Sequence, residues 1–415
     1  MISRRVFLKD GAFALVSLGF APSFLTRTAF AQGRSARAKQ LIAIFQRGAV
    51  DGLNMVVPFG ESEYYKARPS IAIAQPGSGD GSALDLNGFF GFNPRLQPLK
   101  PFWDARQLAI VHACGSPDST RSHFDAQDYM ETATPGVKST ADGWLNRYLQ
   151  ARRVEATTPF RAVALTGQVP RMLQGPSPAL AMSQIEQFGI RAGQATETLN
   201  ASFEALYSSA ADRVLNGTGR EAFNAIKMLK TNDPLRYEPE HGADYPRSAF
   251  GQALKQIAQL IKSNVGIEIA FADLGGWDTH INQGAAQGQL AARLDDFSRS
   301  IAALVTDLGD RMADTVVLTM SEFGRAVAEN GNRGTDHGHG NAMMVLGGGV
   351  RGGHVYGKWP GLSPEQRFER RDLAVTTDFR DVFAEIVVRH LGVQDPKPIF
   401  PGYNVQSTRF AGLFV

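Results

Sequence analysis

Seven residues late in the chain, TDHGHGN at 335–341, crowd Asp336, His337 and His339 into a run too rich in glycine for a helix. Carboxylate and imidazole together form a donor set for a divalent cation. A polar turn has the same composition, so the distinction rests on what other segments bring to the same place. QRGAVDGLN carries Asp51 in a glycine-flanked turn, and STRSHFDAQDYMETA carries Arg121 and Ser122 where a helix begins. DLGGWDTHINQG offers Asp278 and His280, and SEFGR offers Glu322 and Arg325. Taken singly each has a plain explanation: Asp51 as a turn cap, Ser122 as a helix N-cap, His280 as a satisfied histidine, Glu322 as a partner of Arg325.

Taken together they specify a chemistry. Carboxylates and imidazoles without thiolate suit zinc, manganese, magnesium or calcium, with histidine favouring the transition metals. About six such groups exceed the needs of one tetrahedral ion, so one or two divalent ions (zinc, manganese or calcium) are expected on Asp51, Asp278, His280, Glu322, Asp336, His337 and His339. A serine at a helix start beside them is a sensible nucleophile, and Arg47, Arg121 and Arg325 flank the same loops. The expected partner is a small-molecule or glycan phosphate or sulfate ester, with Arg121 or Arg325 clamping its non-reacting oxygens. His123 follows Ser122, but successive helical residues point about 100° apart, which suggests a supporting or leaving-group role.

These loops need a common edge. Short apolar runs at 41–45, 108–113, 161–165, 267–272, 315–320 and 342–348 alternate with helical stretches after Ser122, before the fourth run, from Gln287 to Met312, and after a capping Asp378. That alternation predicts an α/β fold, a mixed, mostly parallel sheet sandwiched by helices. In such sheets ligands bind beyond the carboxyl ends of the strands, where all five motifs fall. Residues 166–245 read instead as a mostly helical insertion or lid.

The first residues have their own logic. SRRVFLKDG matches the twin-arginine export pattern, a short apolar run follows, and AFA at 29–31 is a small-x-small cleavage site. The expectation is a signal peptide at 1–31, carriage by the twin-arginine translocase, and a domain at 32–415 that is periplasmic or secreted. The apolar run is short of the ~20 residues that span a bilayer, so no stable membrane anchor is expected. Arg4, Arg5, Lys9 and Arg27 against Asp10 account for the whole net charge of +3, which leaves the remainder neutral. That argues against nucleic acid or an anionic membrane as partner. One cysteine, Cys114, cannot form an internal disulfide.

The motifs SRRVFLKDG, IFQRGAVDGLN, STRSHFDAQDYMETA, GGWDTH, MSEFGR and GTDHGHGNAMMVLGGGVRGGHVYGKWPGL resemble the twin-arginine-exported bacterial family known as domain of unknown function 1501. That family resembles a distant branch of the alkaline phosphatase and sulfatase superfamily. The resemblance implies an alkaline-phosphatase-like α/β core, two metal sites, Asp51 as a ligand ending the first strand, and Ser122 as nucleophile. It also implies ligand roles for Asp278, His280, Glu322 and His337 or His339. The chain departs from the superfamily pattern at Glu322-Phe323, where aspartate and histidine would stand. A non-catalytic, metal-stabilised envelope binding protein is the alternative expectation; a phosphomutase fits poorly with export.

Overall fold

Period-two alternation sets the central sheet. In β1 (Gln40–Gln46) Ile42 and Ile44 face one hydrophobic cluster while Leu41, Ala43 and Phe45 face the other, all without exposure. A strand apolar on both sides belongs in the middle of a sheet covered on both faces. The computed structural model describes residues 38–152, 158, 160–185 and 237–414, and Lys39–Val415 form one compact unit. Residues 1–31 and the stretch 186–236 of the expected lid lie outside the described residues.

Three short strands, β2 (Val56–Val57), β3 (Leu84–Asp85) and β4 (Gly91–Phe92), form a separate small sheet. The main sheet takes β5 (Leu108–Gly115), β6 (Ala162–Ala164), β7 (Leu180–Ala181), β8 (Ile269–Leu274), β9 (Thr315–Met320), β10 (Asn341–Gly347), β11 (Val355–Tyr356) and β12 (Thr377–Asp378). Its order is β11-β5-β10-β9-β1-β8-β6-β7, with β12 also on β5. Every pairing is parallel except those of β10 with β5 and β9. The expected mixed, mostly parallel sheet is therefore present. β7, inside the segment read as a lid, extends the sheet edge.

Six helices matter for the site and the core: α1 (Gly52–Met55), α2 (His123–Thr132), α3 (Trp144–Ala151), α4 (Ala249–Lys262), α5 (Gln289–Leu308) and α6 (Phe379–Glu385). α4 and α5 bury Leu254, Ile257, Leu294 and Ile301 in one cluster, and α3 and α6 bury Trp144, Leu145, Val382 and Phe383 in the other. Trp144 stacks on Phe383 at 4.6 Å. Asp378 caps α6 by accepting from the Arg380 amide. Among the described residues no helix is long and apolar enough to cross a membrane.

Because β10 runs against its neighbours, its first residue lies at the edge where the parallel strands end. Asn341 is registered with Cys114 near the end of β5. Residues 335–340 therefore join the loops after β1, β5, β8 and β9 at one edge.

Away from that edge, β5 carries a histidine whose protonation state is fixed by its bonds. His112 Nδ1 accepts from the Ala113 amide at 2.9 Å, and Nε2 lies 3.1 Å from the Val56 carbonyl, to which it donates. Both bonds require neutral imidazole. Burial lowers its pKa from 6.5 to about 4, and the same cause lowers His390 to about 4. In the unfolded chain each recovers its ordinary value. Between pH 6.5 and 4 the unfolded state binds protons that the folded state refuses, so stability falls as pH falls. Each histidine contributes about 1.4 kcal/mol per pH unit in that window. Urea unfolding at pH 7 and pH 5 should differ by roughly 2 kcal/mol per histidine; equal stabilities would show that the pair is not buried neutral.

Candidate metal centre

Glycine lets the loops come close enough to share a site. A Cβ on Gly334 would sit 2.2 Å from the His280 backbone, and one on Gly338 would sit 2.3 Å from that of Arg325. Real Cβ atoms do not approach so closely, so the glycines of GTDHGHGN are needed for packing of backbone on backbone.

The packed loops put Asp278 at the centre. Its Oδ1 lies 2.9 Å from His280 Nε2 and 3.1 Å from His337 Nε2, and its Oδ2 lies 3.5 Å from His123 Nε2. The two imidazole nitrogens of His280 and His337 are 3.0 Å apart. Each ring is anchored by its other nitrogen. His123 Nδ1 meets Glu322 Oε1 at 2.8 Å, His280 Nδ1 meets Asp336 Oδ1 at 3.3 Å, and His337 Nδ1 meets the Arg121 carbonyl at 2.8 Å. A carbonyl only accepts, so His337 Nδ1 carries the proton and its Nε2 presents a lone pair to the carboxylate. Lone pairs facing one another repel unless a cation lies between them.

That arrangement fits a metal. Imidazoles that ligate metals donate their other N–H to a carboxylate or carbonyl, as all three do here. His123 Nε2 is buried without a hydrogen-bond partner, a cost that coordination would remove. The separations of the three imidazole nitrogens from the oxygens of Asp278, 2.9 to 3.5 Å, are of the size that two donors on one ion have, roughly 3.3 Å for bonds of about 2.0 Å. Among the described residues, ligand atoms of His123, Asp278 and His337 all lie within 4.8 Å of one another.

Electrostatics prepares Asp278 and His337. Burial pushes the Asp278 carboxyl up, but the Arg325 guanidinium, 2.6 Å from Oδ1, overrides it and brings the pKa to about 2. Asp278 is an anion at any physiological pH. Burial lowers His337, which favours the neutral ligand form. The Glu322 hydrogen bond raises His123. Burial alone would raise Glu322, but hydrogen bonds from His123, Gln127 and the Gly48 amide lower it overall.

Asp278, His280 and His337 are thus brought together as expected, and His123 joins them. The remaining expected ligands serve as braces. Asp51 caps α1 and is fully buried, with its Oδ2 taking bonds from Arg68 Nη1 at 2.6 Å and Gln283 Nε2 at 2.7 Å. Its Oδ1 accepts from the Asn54 amide at 3.3 Å, so both oxygens face protein donors where the sequence suggests a ligand. Glu322 faces His123, and Asp336 faces His280, so each orients a ring. His339 stacks on Phe368 at 4.4 Å, away from the cluster. Arg325 is buried and bonds the Gly48, Ala49, Trp277 and Thr335 carbonyls and Asp278, which turns it to its own loops rather than to a substrate oxygen. Arg121 is paired with Asp372 and Glu369 but keeps an exposed edge. Ser122 is the N-cap of α2, its Oγ accepting from the Asp125 amide at 3.5 Å.

His123 was legible through Glu322. A carboxylate at a strand end followed by apolar Phe323 needs donors, and His123 is an imidazole placed at the start of a neighbouring helix. Phe323 itself packs against the rings of His123 at 5.0 Å and His337 at 5.1 Å. Arg68 and Gln283 carried no such signal. Gln283 Oε1 accepts from Thr279 and Thr335 while its amide holds Asp51, so one side chain ties three site loops.

Fold and site together define a mixed α/β protein with a cluster of histidines around Asp278, a candidate metal centre, at the ends of its parallel strands. The chain belongs to the family described as Protein of unknown function (DUF1501), whose model matches residues 106–397. No curated protein matches it. Among solved structures it is similar to the C-terminal periplasmic domain of EcEptC from Escherichia coli in complex with Zn, at 10% identity over 75% of this chain and 74% of that one, TM-score 0.34. It is also similar to the PsFucS1 sulfatase from Pseudoalteromonas sp., at 11% identity over 93% and 76%, TM-score 0.39. A third is the phosphonate monoester hydrolase of Agrobacterium radiobacter, at 9% identity over 89% and 78%, TM-score 0.33. The likeness concerns the layout of sheet and helices and assigns no activity.

Brace and ligand should separate on mutation. Asp51→Ala strands a fully buried guanidinium on Arg68 and should cost about 3–5 kcal/mol of stability in chemical denaturation. His337→Ala should cost far less without metal while abolishing metal uptake. An Asp51→Ala protein of normal stability would return Asp51 to the ligands.

Proposed function

We propose that the protein is an exported hydrolase of phosphate or sulfate esters that works with one divalent cation. The observation carrying this is the convergence of three anchored imidazoles on Asp278, beside the helix start that holds Ser122. Held by His123, Asp278, His280 and His337, the cation would supply positive charge to the ester's anionic oxygens and to the attacking oxygen.

The chain's own groups do the rest. At 3.5 Å the capping bond of Ser122 Oγ is weak, so the hydroxyl can turn toward an ester at little cost. Its oxygen would attack phosphorus or sulfur, the bond to the leaving alcohol would break, and water would then cleave the serine ester to release inorganic acid and restore the hydroxyl. The free amides at the start of α2 favour the anion. Arg121, next to Ser122 and partly exposed, is placed to meet a non-reacting oxygen, whereas Arg325 is buried.

Phe323 favours a second reading. It stands where the wider superfamily has an imidazole, and it presents an apolar ring to the centre, which suits a metal-stabilised binding protein without turnover. The two readings separate on one experiment. Metal-loaded wild type should hold close to one equivalent of zinc, manganese or calcium and hydrolyse some aryl phosphate or sulfate. Ser122→Ala should keep the metal and lose at least about a hundredfold in rate, by analogy with other covalent nucleophiles. Full metal with no turnover across both ester classes would favour the binder, and normal turnover by Ser122→Ala would move the attack to water.

The proposed location is periplasmic or secreted, by the twin-arginine route. Replacing Arg4 and Arg5 together with lysine should hold the protein in the cytoplasm on cell fractionation. Unchanged export would remove that assignment.

A further inference from the structure

Beside the candidate metal centre lies a cavity of about 470 Å³ that the proposed chemistry leaves unused. Its charged lining is Arg47, just past β1, and Asp273, near the end of β8, and its apolar lining includes Leu165, Phe250 and Ala253. The spacing between cavity and centre is set by α2. His123, Gln127 and Glu131 stand four residues apart and so share one face of that helix, with roughly 6 Å of axis between successive members. His123 is at the centre with Asp278. Gln127 comes next, its amide nitrogen donating to Glu322 at 2.8 Å and its amide oxygen accepting from Arg47 Nη1 at 2.9 Å. Glu131 accepts from the same Nη1 at 2.9 Å. One side-chain amide therefore separates the carboxylate that anchors His123 from the guanidinium that lines the cavity. Backbone packing agrees, since a Cβ on Gly48, next to Arg47, would lie 2.9 Å from the Asp278 amide nitrogen. Cavity and centre are neighbours on one edge of the sheet, near enough for a single organic molecule to reach both.

We propose that this cavity is a subsite for the alcohol portion of the ester, and that this portion is a neutral, hydroxyl-bearing group such as a sugar ring. The proposal rests on the proposed function and names its substrate class. Arg47 Nε and Asp273 Oδ2 are paired at 2.6 Å, so the two charges that line the cavity cancel and a second ionic group on the ligand would gain no net partner. Among the described residues Arg47 Nη2 and Asp273 Oδ1 have no hydrogen-bond partner, which leaves a donor and an acceptor in the same lining. A hydroxyl can donate to the carboxylate or accept from the guanidinium, whereas an alkyl or aryl group can do neither. Leu165, Phe250 and Ala253 offer apolar surface to the C–H face of a ring whose edge carries the hydroxyls.

The test measures by calorimetry the affinity of the full metal-loaded chain for three phosphonates, which keep an anionic head but resist hydrolysis: methylphosphonate, cyclohexylmethylphosphonate and glucose 6-phosphonate. Wild type should bind glucose 6-phosphonate about tenfold more tightly than the cyclohexyl compound, the size of one or two net hydrogen bonds. D273A removes the acceptor, and A249W, at an exposed position of the lining, narrows the cavity. In both variants metal content and methylphosphonate affinity should stay unchanged while affinity for glucose 6-phosphonate falls about tenfold. Wild type that binds the cyclohexyl compound as tightly as the glucose compound overturns the hydroxyl-bearing class. Undiminished affinity for glucose 6-phosphonate in either variant overturns the placement in this cavity. Both of those results leave the proposed function standing, whereas failure of metal-loaded wild type to bind any of the three overturns the proposed function and the subsite together.

Discussion

One buried guanidinium holds the site together. Arg325 is withdrawn from water and spreads its donors over the carbonyls of Gly48, Ala49, Trp277 and Thr335 and the carboxylate of Asp278. Burying a charge without partners would cost far more than a domain's net stability. The five acceptors offset that cost only if the loops after β1 and β8 and before β10 all close around it. The side chain that neutralises Asp278 therefore also sets where the loops stand. Rigid placement of Asp278 and its permanent ionisation have the same origin.

The Asp51–Arg68 pair repeats the logic one layer further in. Arg68 reaches the Ala326 and Val327 carbonyls as well as Asp51 and Asn54. Asp51 in turn holds Gln283, which accepts from Thr279 and Thr335 on either side of the centre. The residues immediately before His280 and Asp336 are thus pinned from below. A metal site needs this second layer because its donors must converge within a few tenths of an ångström.

Much of this was legible in the sequence, and the failures have a common cause. Apolar alternation located β1, β5, β8, β9 and β10, and the rule that ligands gather beyond strand ends found every loop of the site. Asp278, His280 and His337 followed from residue type and position. Side-chain direction did not. His337 and His339 sit two apart with a glycine between, and only tertiary packing sends one to Asp278 and the other onto Phe368. Asp51 and Glu322 look like ligands because carboxylates at strand ends often are. Whether such a group binds a cation or an internal partner depends on Arg68 and Gln127, whose proximity no spacing reveals.

Charge balance favours one ion over two. Around the centre Asp278, Glu322 and Asp336 carry three negative charges, and Arg325 on Asp278 and Arg371 on the His337 carbonyl supply two positive ones, so one negative charge remains. A single divalent cation would bring that set to one positive charge, while a second would bring it to three in a partly buried space. Phe323 enforces the same limit by geometry. Its ring occupies the flank of His123 and His337 where further donors would have to enter, and it is itself buried. With Asp278 ionised and the anchored rings of His123 and His337 packed beside Phe323, the donor set suits the single cation proposed above better than a pair.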